Sequence, residues 1–371
     1  MTEEMIVGLN YSNTLPNVTF YPFGIGVNAI HQEILTRIKK AYTKAQKNHR
    51  EPMGTEDLFD ENGKLKDKDN FRQQIYDFGI KQEALKQTVG LMFDMYDLDS
   101  TEESRTEENK KLKEYFNQIT QQVDNISQEQ LLQNQRFQRL FKVIDNDVDR
   151  TDRTLDAFKS KPGLTLLTKL LRSYLVYNPI VGYLQGMNDL FVPLIKLFLS
   201  EWNEEGHPVE GDRLLSDDEI DENASKIFWH FSSMVKHIKH EGLLSSVSTC
   251  NKIAEEINNI LSKVNPSLTI WLKRNDLSTF LFMYSSFVML YKRNIDDIWN
   301  VWVRIHCSKD PKHWLTYFST AVILYVFPKI PLCENELNVK ITEIYSKSFH
   351  TLNIDELSFV AKWLYEKYPI K

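Results

Sequence analysis

Two short polar segments carry side chains suited to handling a phosphate. The first runs from Ile144 to Thr154 and reads IDNDVDRTDRT, with Arg150 set among Asp145, Asp147, Asp149 and Asp152. A guanidinium is planar and permanently charged, and its N–H donors form a fixed fork that matches phosphate oxygens. A neighbouring aspartate could hold such an arginine while its fork is presented outward. The plain alternative is a surface turn in which the acids balance Arg150 and Arg153. The second segment runs from Tyr177 to Asp189 and reads YNPIVGYLQGMND. Gly182 and Gly186 bracket Tyr183, Leu184 and Gln185, and glycines so placed permit close backbone approach or a turn into a helix. Gln185 then sits near a helix start, where its amide can both donate and accept. The alternative is a simple loop-to-helix junction. A phosphate-cradling glycine loop fits less well, because no Gly-Lys-Ser/Thr follows.

The elements that must position these segments are helical. Leu167, Leu170, Leu171, Tyr174 and Leu175 follow the i, i+3, i+4, i+7, i+8 pattern of one buried face, which predicts a helix over Thr165 to Tyr177. Pro162-Gly163 precede it and Asn178-Pro179 end it. This helix and its return loop can bring the two polar segments toward one face. Met187 to Trp202 predicts a second apolar helix, kinked or broken at Pro193. Upstream, residues 1–54 read as a partly helical or disordered extension, with a helix from Asn28 to Lys47 striped by Ile30, Ile34, Ile38 and Ala41. Arg50 to Asn70 reads as loop or turn. Downstream, the acidic stretch Glu201 to Asn223 reads as a solvated loop with Arg213 as its only cation, and Ser216 with Glu219 as a capping box. Further helices are expected near 227–238, 250–261, 278–291, 296–305 and 314–326, with Trp271, Trp299, Trp302 and Trp314 in the core.

Composition narrows the function classes. The chain has 371 residues, 42% hydrophobic and 26% charged, as in ordinary globular proteins. It has 13 glycines, the last at Gly242, so turns requiring positive φ are scarce in the final third and an all-α fold is expected. Cys250, Cys307 and Cys333 are too dispersed for a disulfide framework or a zinc site. The N-terminus does not read as a signal peptide. The most apolar stretch, Thr279 to Tyr291, is shorter than the ~20 residues a bilayer span requires. A cytoplasmic location follows, with no transmembrane segment. The formal net charge is −6 and no long basic run occurs, which argues against nucleic acid as partner. His230, His237 and His240 allow a metal reading, but no second acidic or cysteine ligand lies nearby in sequence. Satisfied or surface histidines are expected, and no metal is assigned.

Taken together, the two polar segments resemble the paired motifs of TBC-domain Rab GTPase-activating proteins, Ile-x-x-Asp-x-x-Arg and Tyr-x-Gln. Ile144, Asp147 and Arg150 fill the first, and Tyr183 and Gln185 fill the second, 35 residues on from Arg150. MYDLDSTEESR from Met95, VDRTDRT from Val148, PGLTLL from Pro162, QGMNDL from Gln185 and DIWNVW from Asp297 are similar to the subgroup acting on late-endosomal, lysosomal or vacuolar Rabs. The resemblance implies an all-helical TBC domain over 55–371, with helical halves at about 55–205 and 224–371 flanking a GTPase-binding groove and the acidic loop at about 201–223 between them. It implies an activator that lends Arg150 and Gln185 to a Rab-family GTPase regulating vesicle trafficking, rather than an enzyme with its own substrate. Asp147, Ile144, Thr151, Tyr183, Gly182 and Gly186 would support or orient the pair, and Arg153, Asn188 and Asp189 would touch the partner. No cofactor belongs to the chain; GTP and Mg²⁺ come on the Rab. Any membrane association would be peripheral, on endosomal or vacuolar membranes. The sequence departs from the family at Leu85 and Val89, where an arginine and a tryptophan are common, at Val303, where an acid is usual, and at Tyr291-Lys-Arg-Asn294. A helical Rab-binding or scaffold module of weak catalytic power is the alternative.

Overall fold

The structure, a computed structural model, describes residues 25–46, 51–246, 248–327 and 337–370. Its described residues form two compact units. The unit carrying both polar segments, here the motif unit, comprises the described residues of 52–246 with Val288–Lys292; the second comprises those of 25–51, 248–287 and 293–370. The division therefore falls near 248 rather than near 224. The physical reason is the long helix Asp217–His237, which packs on the helices that precede it.

Helix α1 (Ile25–Gln46) belongs to the second unit. Its buried stripe is Leu35 and Ile38, with Tyr42 edge-on to Phe359. Ala41, expected on that stripe, is exposed, and the side chain of Ile30 lies outside the described residues.

In the motif unit, the segment expected to be loop contains a short α2 (Thr55–Leu58), followed by α3 (Phe71–Phe78), α4 (Gln82–Met92), α5 (Glu102–Asp124), α6 (Gln128–Gln133), α7 (Gln135–Val148) and α8 (Asp156–Lys159). Leu85 and Val89, where the sequence departs from its family, are both buried in α4, so they fill core volume and offer nothing to a partner. Helix α9 (Lys161–Tyr177) is central and touches α5, α7 and α8. It begins four residues earlier than expected and takes Pro162 and Gly163 into its first turn, where the missing proline N–H would have had no helical partner. Gly163 is required there, because a Cβ would lie 1.6 Å from the Ala157 carbonyl oxygen of α8. Leu167, Leu170, Leu171, Tyr174 and Leu175 are all buried, as the periodicity predicts. Each fully buried leucine contributes ~1.5–3 kcal/mol of transfer free energy.

Helix α10 (Met187–Phe198) runs through Pro193 without a break and stops short of Trp202. The acidic stretch that follows is structured. Strands β1 (Glu201–Trp202), β2 (Pro208–Glu210) and β3 (Arg213–Leu214) form a small antiparallel sheet. Arg213 gathers the acids, pairing with Glu210 at 2.6 Å and Glu219 at 2.8 Å. Glu219 also closes the capping box with Ser216, which opens α11 (Asp217–His237) as the sequence reads; the helix thus runs ten residues ahead of the aromatic stretch that begins at Ile227. Helix α11 packs on α4, α5, α9 and α10, and the short α12 (Glu241–Ser245) follows.

The second unit continues with α13 (Ser248–Val264), α14 (Pro266–Arg274), a single 3₁₀ turn at Leu281–Met283, α15 (Tyr284–Val288), α16 (Ile298–Cys307), α17 (Trp314–Val326), α18 (Leu337–Ser348) and α19 (Ile354–Lys367). Every residue of α17 is buried, as expected of a helix apolar on all sides, and it packs against α13, α18 and α19. Trp271, Trp302 and Trp314 are buried, while Trp299 is half-buried and edge-on to Trp302. Val303 is buried in α16. The continuous helix expected over 278–291 does not form. Phe280, Leu290 and Tyr291 have positive φ, which splits the segment into the 3₁₀ turn, α15 and an irregular end.

Candidate functional site

The site is built where α7 ends. Leu140, Phe141, Ile144, Asp147 and Val148 form its buried face, so burial of Ile144 and Val148 brings the Asp147 carboxyl inside as well. A carboxylate in that position needs hydrogen-bonding partners. Asp147 has two: its Oδ1 accepts from Arg150 Nη2 at 2.9 Å and its Oδ2 accepts from the Tyr183 hydroxyl at 2.7 Å. The aspartate side chain is 5% exposed and the arginine 67% exposed, so the pair spans from interior to surface.

The backbone leaves α7 through a tightened turn. The Arg150 N–H donates to the Asp147 carbonyl at 3.1 Å and the Thr151 N–H to the Val148 carbonyl at 3.0 Å. Arg150 Nε donates to the Asn146 carbonyl at 3.0 Å. Two of the five guanidinium donors are thus used to fix its direction, and among the described residues the others carry no further bond. The other acids of the segment are engaged elsewhere. Asp145 pairs with Arg172 at 2.6 Å, and Asp152 with Lys292. Arg153, read as a partner contact, is tied locally while its side chain stays exposed: its Nε donates to the Asp149 carbonyl and its Nη1 to the Phe158 carbonyl.

The second segment returns to the same place. Arg136 Nη2 donates to the Pro179 carbonyl at 2.7 Å, and the Gly182 N–H to the Asn178 carbonyl at 2.9 Å, which closes the turn after α9. Tyr183 is buried, and its hydroxyl proton goes to Asp147. Burial and the nearby carboxylate push the phenol pKa well up, so it remains a neutral donor. Gln185 is exposed and lies two residues before α10. Gly186 is the N-cap of that helix in the left-handed region, at φ 102°; a Cβ there would also approach Met289 Cγ at 3.3 Å.

Asn188 and Asp189, read from sequence as partner contacts, are buried and serve the site from inside. Asn188 Nδ2 donates to Thr151 Oγ1 at 2.8 Å, while the Thr151 hydroxyl donates to the Asp147 carbonyl at 2.8 Å. Asp189 accepts from Lys292 Nζ at 3.2 Å. Their position in the first turn of an apolar helix turns them inward, which spacing in the loop alone does not reveal. Arg136 falls in no recognisable pattern, and the Tyr291–Asn294 departure that contains Lys292 gives no sign of the two carboxylates it joins; both residues lie far along the chain from the segments they hold. His230 and His240 are buried, each with a ring nitrogen on a backbone carbonyl, of Lys226 and Val288. A carbonyl only accepts, so those nitrogens carry the proton of a neutral ring. Burial lowers both pKa values to about 4.

Comparison with known proteins gives the arrangement a family. The chain is similar to the GTPase-activating protein GYP7 of Candida glabrata, 22% identical over 378 residues, covering 89% of this chain and 46% of that protein. It is similar to mouse TBC1 domain family member 17, 27% identical over 229 residues, covering 60% of this chain and 31% of the relative. The chain thus spans about half or less of the length of these relatives. The fold is that of the crystal structure of the Ypt/Rab-GAP domain of Gyp1p, with a TM-score of 0.68 and 14% identity over 90% of this chain and 98% of the other. A description of the Rab-GTPase-TBC domain matches residues 69–332, a range that contains α7, α9, α10 and both polar segments. The chain belongs to the Rab-GTPase-TBC domain family.

Proposed function

We propose that this chain accelerates GTP hydrolysis by a Rab-family GTPase, with Arg150 and Gln185 inserted into the partner's active site. The observation that carries the reading is the bond from Tyr183 to Asp147, because the same buried carboxylate holds Arg150 and thereby ties the two exposed side chains to one anchor. GTP and Mg²⁺ are supplied by the partner. The uncommitted donors of Arg150 would neutralise charge developing on the transferred phosphoryl group. Gln185, which can donate and accept, would orient the attacking water. The chain itself forms no covalent intermediate; it contributes preorganised charge and position.

Arginine supplied to a GTPase in this way is worth ~10³–10⁵ in rate, or roughly 4–7 kcal/mol of barrier. Membership of the Rab-GTPase-TBC domain family supports a Rab as the partner, the similarity to the GTPase-activating protein GYP7 supports activation as the effect, and vesicle trafficking is the setting that follows from a Rab. The motifs shared with the late-endosomal subgroup favour a Rab of that compartment, with peripheral recruitment to endosomal or vacuolar membranes. No helix among the described residues is long and apolar enough to cross a membrane. The test is single-turnover hydrolysis against a full panel of Rabs, comparing the chain with Arg150→Ala, Arg150→Lys and Gln185→Ala. Acceleration of at least one Rab, lost in all three variants, is the expected result. An Arg150→Ala protein of full activity would refute the assignment.

A further inference from the structure

Beyond the exposed pair, we propose that Lys292 is a positioning residue that sets the Arg150 segment against the Gln185 segment; this rests on the finger reading above. Its ammonium pairs with Asp152, two residues after Arg150, and with Asp189 Oδ1 at 3.2 Å, four residues after Gln185. The Lys292 side chain is 12% exposed and that of Asp189 is 3% exposed. One largely enclosed cation therefore bridges a carboxylate from each segment. The bonds Tyr183–Asp147 and Asn188–Thr151 join the same two segments directly. Lys292 differs from them in coming from a third stretch of chain.

That stretch has the marks of a piece built to reach the site. Val288–Lys292 belongs to the motif unit although the sequence on either side does not. Leu290 and Tyr291 adopt φ of 47° and 67°, a region that non-glycine residues enter only when their surroundings hold them there. Asp152, on the other side of the ion pair, has φ 27°. His240 Nε2 donates to the Val288 carbonyl at 2.8 Å, and Met289 lies beneath Gly186. The segment is thus pinned at its start, packed under the glutamine loop in its middle, and charged at its end. Two carboxylates face one ammonium, so without Lys292 they would repel each other, with Asp189 buried and deprived of that cation. Relief of that repulsion moves the Asp152 side of the loop, which carries Arg150.

A residue that positions the fingers without touching the partner should alter turnover more than encounter. With the Rab that the wild-type chain accelerates most, Lys292→Met is expected to lower kcat at least 30-fold while KM changes less than threefold. Lys292→Arg, which keeps the charge, should restore kcat to within about fivefold of wild type. Binding to the Rab loaded with GDP and aluminium fluoride should weaken in the Met variant more than binding to the GTP-loaded Rab. Should Lys292→Met fail to fold, Asp152→Asn breaks the same tie at a partly exposed carboxylate and should lower kcat at least fivefold at unchanged KM. A folded Lys292→Met protein with kcat within threefold of wild type overturns the proposal, as does equal loss from Met and Arg. Arg150→Ala, run in parallel, separates the two readings: if it abolishes acceleration while Lys292→Met does not, the finger assignment stands and the positioning role falls. If Arg150→Ala is fully active, the finger assignment itself falls.

Discussion

Arg150 and Arg213 look alike in sequence, each a cation among acids, yet the molecule uses them in opposite ways. Arg213 is held on the small sheet by Glu210 and Glu219, with both terminal nitrogens bound to carboxylates. Both ends of its fork are spent on its neighbours, and its work is to close a turn and to steady the capping box of α11. Arg150 has four aspartates nearby in sequence but is bonded by only one of them, Asp147. Asp145 and Asp152 are paired with Arg172 and Lys292. The difference lies in burial. An exposed carboxylate is free to swing onto the fork, whereas a buried one grips the arginine from behind and leaves its outer edge open. The number of acidic neighbours therefore says little about whether an arginine is available; the depth of the acid that holds it says more.

The largest way to break this contrast is kinetic. Arg150→Ala is expected to lower activation of the cognate Rab by ~10³–10⁵, and Arg150→Lys nearly as much, because a point charge does not reproduce the fork. Arg213→Ala should change the rate by less than about threefold. Single-turnover hydrolysis on both variants measures the gap, and comparable losses would erase the distinction.

The next effect concerns the anchor. Removing Asp147 takes from the buried Tyr183 hydroxyl its 2.7 Å acceptor, leaving Asn188 Oδ1 at 3.4 Å, and leaves Arg150 only its bond to the Asn146 carbonyl. Because the arginine left behind is exposed, the cost is that of the buried hydrogen bond lost from Tyr183, ~1–3 kcal/mol. Urea denaturation of Asp147→Ala should show that loss alongside inactivity, whereas Glu219→Ala, which removes half of a capping box, should cost only about 1 kcal/mol.

Acid should distinguish the two regions by pH window. His230 and His240 have folded pKa values lowered to about 4 from a usual 6.5, so the unfolded chain takes up their protons first. The stability they confer is complete above pH 6.5 and is lost as pH falls toward 4. At 1.36 kcal/mol per unit, this amounts to on the order of 3 kcal/mol for each histidine. Glu219 is lowered to about 2 from 4.5 by Arg213 and the capping bonds, so its share is held above pH 4.5 and fades only as pH falls toward 2. Thermal melts from pH 7 to 3 should therefore fall first through the histidine window, and His240→Asn should flatten that limb. A melting temperature that is flat between pH 6.5 and 4.5 would contradict the buried neutral rings.

Much of this was legible in the sequence. The periodicity of Leu167, Leu170, Leu171, Tyr174 and Leu175 forecast α9 and its face, and the late absence of glycine forecast a helical C-terminal third. Arg150 and Gln185 stand out by spacing and by resemblance, and both are exposed. What stayed hidden depends on contacts across the chain. The strands after α10 are two or three residues long, too short to show alternation, and their acids find one organiser in Arg213. The break in 278–291 follows from the position that Met289 and Lys292 must reach, which local helix propensity opposes. Asn188 and Asp189 read as surface because a polar pair after a loop usually is; only the packing of α10 turns them inward. The boundary near 248 was missed because α11 begins in what reads as an acidic linker and ends among the helices of the motif unit.

The constraint at Gly186 extends to variation over generations. Its φ of 102° is hard for any other residue to adopt, and Met289 fills the space where a side chain would go. A change at 186 would need a compensating change more than a hundred positions away before it could be tolerated. The two positions should drift together or not at all, while exposed Gln185, one residue earlier, is spared any such coupling.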